Sequence, residues 1–453
     1  MSKRKVASLF SGCGGMDLGF EGGFTVHKDS LAPSESKLLK KADTNGYVAL
    51  PETCFETIFA CDVYLKAMAA WNVYFGKRRD VADVFHAGSI VDVVKDIRSG
   101  KRKLPGKVDV VTGGFPCNDF SVAGKRLGFK SDKSHLGNKK LLEENEDPTA
   151  ENRGMLYYWL REYVAQVKPK IFYAENVKGL ISLGDAKEII AQDFASINGS
   201  SYYVVPVKVL KAVEFGIPQT RERVIFIGIN KDAMKADVRK YLDKHGELPK
   251  HLDPYPTQTH GAPALEGIKT NPTATTKAAF AGLKEPELSA DLSQQSFSKA
   301  KYFGKKVQGQ TEVSLSAPGP TIRAEHHGNI EFRRLSEENG GKNTAELKKG
   351  LPQRRLTVRE CARIQTFPDE YDFVIPNKLS ASDGYRLIGN AVPPLLAYRL
   401  AQKLDQIWDE MFKKSKVAKI RECLSIFEIR WSARVIAKAS CPIPFVSIDL
   451  TSK

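Results

Sequence analysis

The stretch VVTGGFPCNDFS, Val110 to Ser121, decides how the chain is read. It begins as a β-branched apolar run, breaks at Gly113-Gly114, and then carries Cys117 behind Pro116. With Val108 and Asp109 before it, the run has the composition of a buried parallel strand, and the glycines and proline place the thiol on the loop beyond the strand's carboxyl end. Open α/β sheets form their ligand crevice there. Most free cysteines are small buried hydrophobes. Pro116, however, fixes a backbone angle and removes a donor, as suits a loop whose shape must be held. Cys117 is therefore read as a reactive thiol.

Similar runs recur on both sides: KVASLF, TIFACD, KIFYAEN, YYVVPVKVL and RVIFIGI. Segments with apolar residues at helical spacing lie between them, among them Lys66 to Phe75 and Met155 to Val167. This alternation predicts a doubly wound α/β sheet. An insertion, HKDSLAPSESKLLKKADTNGYVALPET, separates the first strand unit from the second. After about Asn230 the texture changes to Pro, Gly, Thr, Lys and Ser with few long apolar runs, which predicts a smaller irregular domain over 231–380 behind a first domain over 1–230. Helical periodicity resumes in LTVRECARIQTF. A Gly-Asn turn at Gly389-Asn390, a proline pair and a long amphipathic helix follow, so that 381–412 returns to the first domain. The tail, 413–453, is assigned no role.

The chain has 453 residues, 42% of them hydrophobic, enough for two domains or one with a large insertion. No apolar run of about 18 residues and no signal-peptide pattern is found, so a soluble, cytoplasmic protein away from membranes is expected. The seven cysteines form no CxxC pair, which leaves neither a disulfide framework nor a metal site. The single histidine pair, His326-His327, lacks companion ligands at suitable spacing and is read as surface or substrate-facing. A net charge of +16 points to a polyanionic partner.

Following the first strand comes LFSGCGGMDLGFEGGF, Leu9 to Phe24. Gly12, Gly14 and Gly15 allow the backbone to approach a ligand at the start of a helix. Asp62 ends the next strand-like run, where a carboxylate can accept both hydroxyls of a ribose. A phosphate loop for ATP would need a Lys-Ser/Thr pair that is missing here. The ligand is read as a nucleoside-bearing cofactor without an essential pyrophosphate.

Six ordered motifs now stand together: FSGCGGMDLGF, GGFPCNDFS, ENV at Glu175 to Val177, QTRERV at Gln219 to Val224, RRLTVRECARIQTFPD at Arg354 to Asp369, and GNAVP at Gly389 to Pro393. In these the chain resembles the DNA (cytosine-5)-methyltransferases of the bacterial modification type, over most of its length. The resemblance implies a Rossmann-like S-adenosylmethionine-dependent methyltransferase domain with a smaller target-recognition domain. It implies a cofactor site at Phe10, Gly12, Gly14, Asp62 and Pro116, closed by Asn390 and Val392. Cys117 becomes the nucleophile, Glu175 a hydrogen-bonding partner of the cytosine ring nitrogen and amine, and Arg223 the holder of its carbonyl oxygen. Gln219 supports the loop, and Ser121 joins the substrate contacts. The implied partner is double-stranded DNA, bound by a monomer, with a cognate restriction endonuclease that shares the site but need not touch the protein. Two residues depart from the family pattern. Asn118 follows the cysteine where glutamine is usual, and Ser89, in HAGSIVDV, stands where an aspartate usually contacts the adenine amine.

The chemistry accounts for the residue types. Carbon-5 of cytosine takes a methyl group only after a thiolate adds to carbon-6, which divides one hard step into two. A thiol with an ordinary pKa of roughly 8.5 is mostly protonated near neutrality, so positive charge must favour the thiolate. Arg221 and Arg223, separated by one residue, suit that task. Glu175, at a strand end, reaches the same crevice and stabilises charge that develops as the thiolate adds. Sequence choice is assigned to Lys231 to Leu351, notably PTIRAEHHGNIEFRR, where Arg323, His326, His327 and Asn329 are candidates for reading base edges. Two alternatives stay open at this point: a tRNA-methylating branch of the same family, and a catalytically silent DNA-binding regulator.

Overall fold

The computed structural model describes residues 3–116, 134–136, 153–264, 266–304, 307–324 and 330–413. Cys117, Asn118, Ser121, His326, His327, Asn329 and the tail beyond 413 lie outside the described residues.

The strands are β1 (Arg4–Leu9), β2 (Thr25–His27), β3 (Tyr47–Ala49), β4 (Phe55–Asp62), β5 (Phe85–Ala87), β6 (Val110–Gly114), β7 (Ile171–Val177), β8 (Tyr202–Val204), β9 (Lys208–Lys211), β10 (Glu222–Asn230), β11 (Phe332–Arg334) and β12 (Arg354–Arg355). The longer helices are α1 (Gly15–Glu21), α2 (Leu65–Gly76), α3 (Ile90–Arg98), α4 (Leu156–Val167), α5 (Ala186–Ala195), α6 (Ala236–His245), α7 (Val358–Ile364), α8 (Ala381–Asn390) and α9 (Pro394–Met411). Eight strands form one sheet in the order β5-β4-β1-β6-β7-β10-β8, with β9 also paired to β10. From β5 to β7 every pairing is parallel, whereas β10 runs antiparallel to β7. The order reverses at β1, whose two neighbours β4 and β6 come later in the chain, and a crevice opens at such a switch point.

Alternation along each strand supplies two cores. Val6, Val110, Ile171 and Tyr173 face a layer holding α1, α2 and α9, while Ala7, Val111, Phe172 and Ala174 face α3, α4 and α5. The sheet is therefore covered on both sides, as the near-continuous apolar runs of its central strands require. The first core continues without a break into Val313, Ile322, Ile330, Leu356 and Phe373, so the irregular segment after Asn230 packs on the same apolar layer as the sheet.

Two local readings differ from the structure for identifiable reasons. The run Tyr202 to Leu210 is two strands, because Pro206 has no N–H to give to a ladder. Gly389 and Asn390 are the last residues of α8 and not a turn, and the chain turns at Ala391 instead. Gly389 is required for closeness: a Cβ there would lie 2.2 Å from the backbone carbon of Arg323. The insertion after His27 forms the β2–β3 hairpin and 3-10 turns, and it acts as a tie. Its Glu35 pairs with Arg399 at 2.6 Å, and the Tyr47 hydroxyl donates to the Ala279 carbonyl at 2.6 Å.

Asp17, in the first turn of α1, is fully buried and accepts a hydrogen bond from Trp71 Nε1 at 2.7 Å. Burial pushes its carboxyl from 3.8 up to about 7, against the hydrogen bonds from Ser8 and Trp71. Below pH 3.8 the folded and unfolded chains both hold this proton; between there and about 7 only the folded chain does, so stability falls as pH rises through that window. Asp17→Asn should flatten the decline of Tm across it and match or exceed the parent at pH 8. Melting curves from pH 4 to 8 check this, and an unchanged slope would disprove the assignment.

Candidate active site

The ends of β1, β4, β5, β6 and β7 surround a cleft of about 360 Å³, walled on the far side by the end of α8 and residues Gly389 to Val392. Its chemistry is graded along its length.

At one end stand Gly114, Phe115 and Pro116 from β6, Glu175 from β7 and Arg223 from β10. Glu175 Oε1 and Arg223 Nε lie 2.6 Å apart, both side chains nearly buried. A charged pair with one side facing a cleft is already oriented for a polar ligand, since neither side chain has to be ordered when the ligand arrives. Gly114 is constrained by the same pair, because a Cβ there would sit 3.1 Å from Glu175 Oε2. Asn176 fixes the neighbouring turn: its Nδ2 donates to the Phe115 carbonyl at 3.1 Å, and its Oδ1 accepts from the Val177 N–H at 2.8 Å. This holds the backbone immediately before Pro116 and Cys117. Within ENV, the sequence directed attention to Glu175 and left Asn176 without a role.

The middle of the cleft is lined by Phe10, Ser11 and Gly12 after β1, and by Asp62 at the end of β4. Asp62 accepts from the Gly12 N–H at 2.9 Å and the Tyr64 N–H at 2.9 Å. Burial nonetheless raises its pKa, with those donors opposing the shift. Gly12 has φ 54° and open space where a Cβ would be. The other two glycines of this loop serve packing: a Cβ on Gly14 would lie 2.6 Å from the Trp71 ring, and one on Gly15 would lie 2.2 Å from the Val392 carbonyl oxygen. Gly14 does not line the cleft, whereas Gly12, Phe10, Pro116, Asn390 and Val392 do. Arg386 and Tyr64, which the sequence did not single out, close this stretch from above. Their contact is a guanidinium 4.3 Å from the ring centroid, and the Tyr64 hydroxyl donates to Asp383 at 2.7 Å.

Arg221, 1% exposed, lines the cleft and braces its wall. Its guanidinium donates to the carbonyls of Ile322 at 3.0 Å, Gly389 at 3.0 Å and Ala391 at 2.9 Å. The neighbouring Gln219 is fully buried; it accepts from the Ile322 N–H at 3.1 Å and donates to the Ile364 carbonyl at 3.3 Å. The two side chains therefore join 320–324, α7 and the cleft wall. Arg323 sits on that joined segment with Nη1 2.9 Å from Glu331 Oε1. Arg334, from the stretch expected to read base edges, is buried between Glu285 and Glu346 at 2.6 and 2.8 Å.

A sequence profile of C-5 cytosine-specific DNA methylases matches residues 49–406. The chain belongs to this family. Type II methyltransferase M.BsuRI of Bacillus subtilis is 31% identical over 416 residues, covering 89% of this chain and 79% of the relative. M.BspRI of Lysinibacillus sphaericus is 30% identical over 428 residues, covering 91% and 84%. Among solved structures, a mutant of Spodoptera frugiperda DNMT2 superposes with a TM-score of 0.50 at 16% identity, over 89% of this chain and 100% of that one, which bears on the fold alone. The chain is thus a DNA cytosine-5-methyltransferase, similar to Type II modification enzymes, in a family that uses S-adenosylmethionine.

Arg221→Lys tests the wall clamp. One ammonium cannot serve three carbonyls set around a planar fork, so we expect a loss of about 2–3 kcal/mol in unfolding free energy. Denaturant titration measures it, and a change below about 0.5 kcal/mol, the usual scale of a surface substitution, would show that the carbonyls do not depend on the guanidinium.

Proposed function

We propose that this enzyme methylates carbon-5 of a cytosine flipped out of duplex DNA, with Cys117 as the nucleophile and the graded cleft as its cofactor site. The Glu175–Arg223 pair carries the reading, because it stands at the end of the cleft where Pro116 leads into Cys117. The cleft fits S-adenosylmethionine in kind: a half-buried carboxylate, Asp62, for ribose hydroxyls, the open Gly12 beside it, and Phe10, Pro116, Asn390 and Val392 around the remainder. When bound, that cofactor supplies an electrophilic methyl group on a sulfonium.

The protein's own groups perform the rest. The Cys117 thiolate forms a bond to carbon-6, and the electrons of the 5,6 double bond move so that carbon-5 becomes nucleophilic. Glu175 binds the ring nitrogen and amine, Arg223 the carbonyl oxygen, and together they stabilise the charge that builds on the ring. After methylation, loss of the carbon-5 proton re-forms the double bond and expels the Cys117 thiolate. Flipping costs a few kcal/mol, which contacts elsewhere on the DNA must supply. Arg221 and Gln219 act by positioning, through the carbonyls and amides they hold.

We assign catalysis to 1–230 with 381–412, and target recognition to 231–380, where Arg323 is the candidate base reader. Its ion pair with Glu331 supports this role by fixing the guanidinium's position. The biological setting we infer is a cytoplasmic monomer acting as the modification half of a restriction-modification system.

Duplex DNA containing 5-fluorocytosine should trap the protein covalently, since fluorine blocks the final elimination. Cys117→Ala should abolish that adduct and lower methyl transfer from the tritiated cofactor by at least ~10³-fold, with binding of S-adenosylhomocysteine little changed. An adduct that survives in Cys117→Ala would exclude this residue. Absence of label on carbon-5 in every duplex tried would exclude the activity.

Arg323→Ala separates reading from anchoring. A base reader loses about 1–3 kcal/mol and relaxes specificity at one position, whereas a phosphate contact weakens all sequences alike. Bisulfite sequencing of DNA methylated by each variant distinguishes them, and a uniform loss would remove Arg323 from sequence choice.

A further inference from the structure

In the segment assigned to target recognition, one exposed loop is tied down at both feet. The guanidinium of Arg355, itself 1% exposed, donates to the carbonyls of Ala300 at 2.8 Å, Lys301 at 2.9 Å and Gly309 at 2.9 Å, and also to that of Ile330. The chain that leaves at Lys301 and returns at Gly309 is thus fastened to a single buried cation. Just beyond the first foot, the Phe303 N–H donates to Oε1 of the fully buried Gln310 at 2.9 Å, and the Tyr302 ring packs edge-on against Phe332 with centroids 5.9 Å apart. Phe303 itself is 67% exposed, and Val307 on the same loop is 44% exposed.

An exposed phenylalanine alone signifies little. Two further observations give this one a direction. Ile330 adjoins Glu331, whose carboxylate holds Arg323 at 2.9 Å, so the loop is fastened to the same strip of backbone as that arginine. Every charged residue between Asp291 and Glu312 is a lysine, and Lys299 and Lys301 are exposed. Such a surface favours a polyanion. The phenyl ring, however, has no group that could bind a phosphate or a base edge. What it gains from DNA is burial against a flat apolar surface, and the faces of bases offer one only where the step between neighbouring pairs is opened. Because the loop is already held, inserting the ring requires little further ordering.

We propose that Phe303 is a specificity-determining wedge that enters an opened base step flanking the target cytosine, with Lys301 against the neighbouring phosphate. This rests on the reading of 231–380 as the segment that faces DNA. Opening costs least at the flexible TA and CA/TG steps, so the ring selects sequence at a position where no hydrogen bond reads a base.

The test uses the full chain and duplexes that carry 2-aminopurine, whose fluorescence rises on unstacking, at successive positions around the target mapped by bisulfite sequencing. With the parent protein the signal should rise at one flanking step as well as at the target. Phe303→Ala should abolish the flanking rise and lower kcat/KM by about tenfold, the worth of one base–aromatic stack, while Tm stays unchanged because the side chain is exposed. Phe303→Trp should keep both the signal and the rate. Among duplexes that differ only at that step, the parent should favour TA and CA/TG, and Phe303→Ala should be indifferent. A flanking rise that survives in Phe303→Ala, or none with the parent, overturns the proposal. So does a loss reproduced by replacing thymine with deoxyuracil, which would make the contact one with a thymine methyl in the groove. Protection of Lys299 and Lys301 from acetylation by bound DNA checks the placement separately: if they stay unprotected while the parent still methylates the duplex, it is the reading of 231–380 as the DNA-facing segment that fails.

Discussion

The cleft exists because α1 and α9 approach each other at backbone distance. A Cβ on Gly15 would lie 2.2 Å from the carbonyl oxygen of Val392, and one on Gly19 would lie 2.3 Å from that of Pro394. No ordinary side chain fits at either position, and such overpacking costs about 1–3 kcal/mol or forces the backbone apart. With glycine at both, a helix beginning at residue 15 and one beginning at residue 394 form a single layer over the sheet. The wall from Gly389 to Val392 is thereby brought opposite Phe10 and Asp62, although more than 300 residues of chain separate them.

This explains what was legible in the sequence. The strands were, because burial on both faces demands continuous β-branched runs, and the long helices were, because each presents one apolar stripe to the sheet. Glu175, Asp62 and Pro116 were placed correctly at strand ends, since in a parallel sheet such positions converge on one edge. The purpose of the glycines was less visible. A Gly-rich turn suggests a ligand, yet of Gly12, Gly14 and Gly15 only Gly12 faces open space, and the others accommodate Trp71 and Val392. Nothing local in LFSGCGGMDLGF distinguishes these uses, because the contacting atoms come from distant parts of the chain.

The basic character of the chain was likewise only partly informative. A surplus of Arg and Lys suggests a surface for a polyanion, but Arg334, Arg354, Arg355 and Arg359 are almost wholly buried. Arg354 bridges Glu285 at 3.0 Å and Glu360 at 2.8 Å, and the guanidiniums of Arg354 and Arg334 outweigh burial to hold the Glu285 carboxyl down to about 2. Removing one partner of such a network leaves a buried charge uncompensated, a loss of several kcal/mol. In a region with little regular secondary structure, these forked donors satisfy backbone and carboxylate groups that a helix or sheet would otherwise satisfy internally. Composition counts an arginine the same way whether it meets solvent or a buried glutamate.

The same use of arginine links the two ends of the chemistry. Arg221 gives its donors to Ile322, Gly389 and Ala391, Gln219 accepts from Ile322, and Gly389 lets the backbone of Arg323 rest directly on α8. The segment leading to Arg323 and the wall of the cleft are consequently parts of one hydrogen-bonded body. Carbonyl groups separated by 67 and 69 residues of sequence converge on a single planar cation, a geometry that a flexible ammonium does not supply. A displacement of the chain at Ile322 must therefore be shared by the wall at Ala391 or break charge-assisted bonds in a dry interior, where their loss is costly.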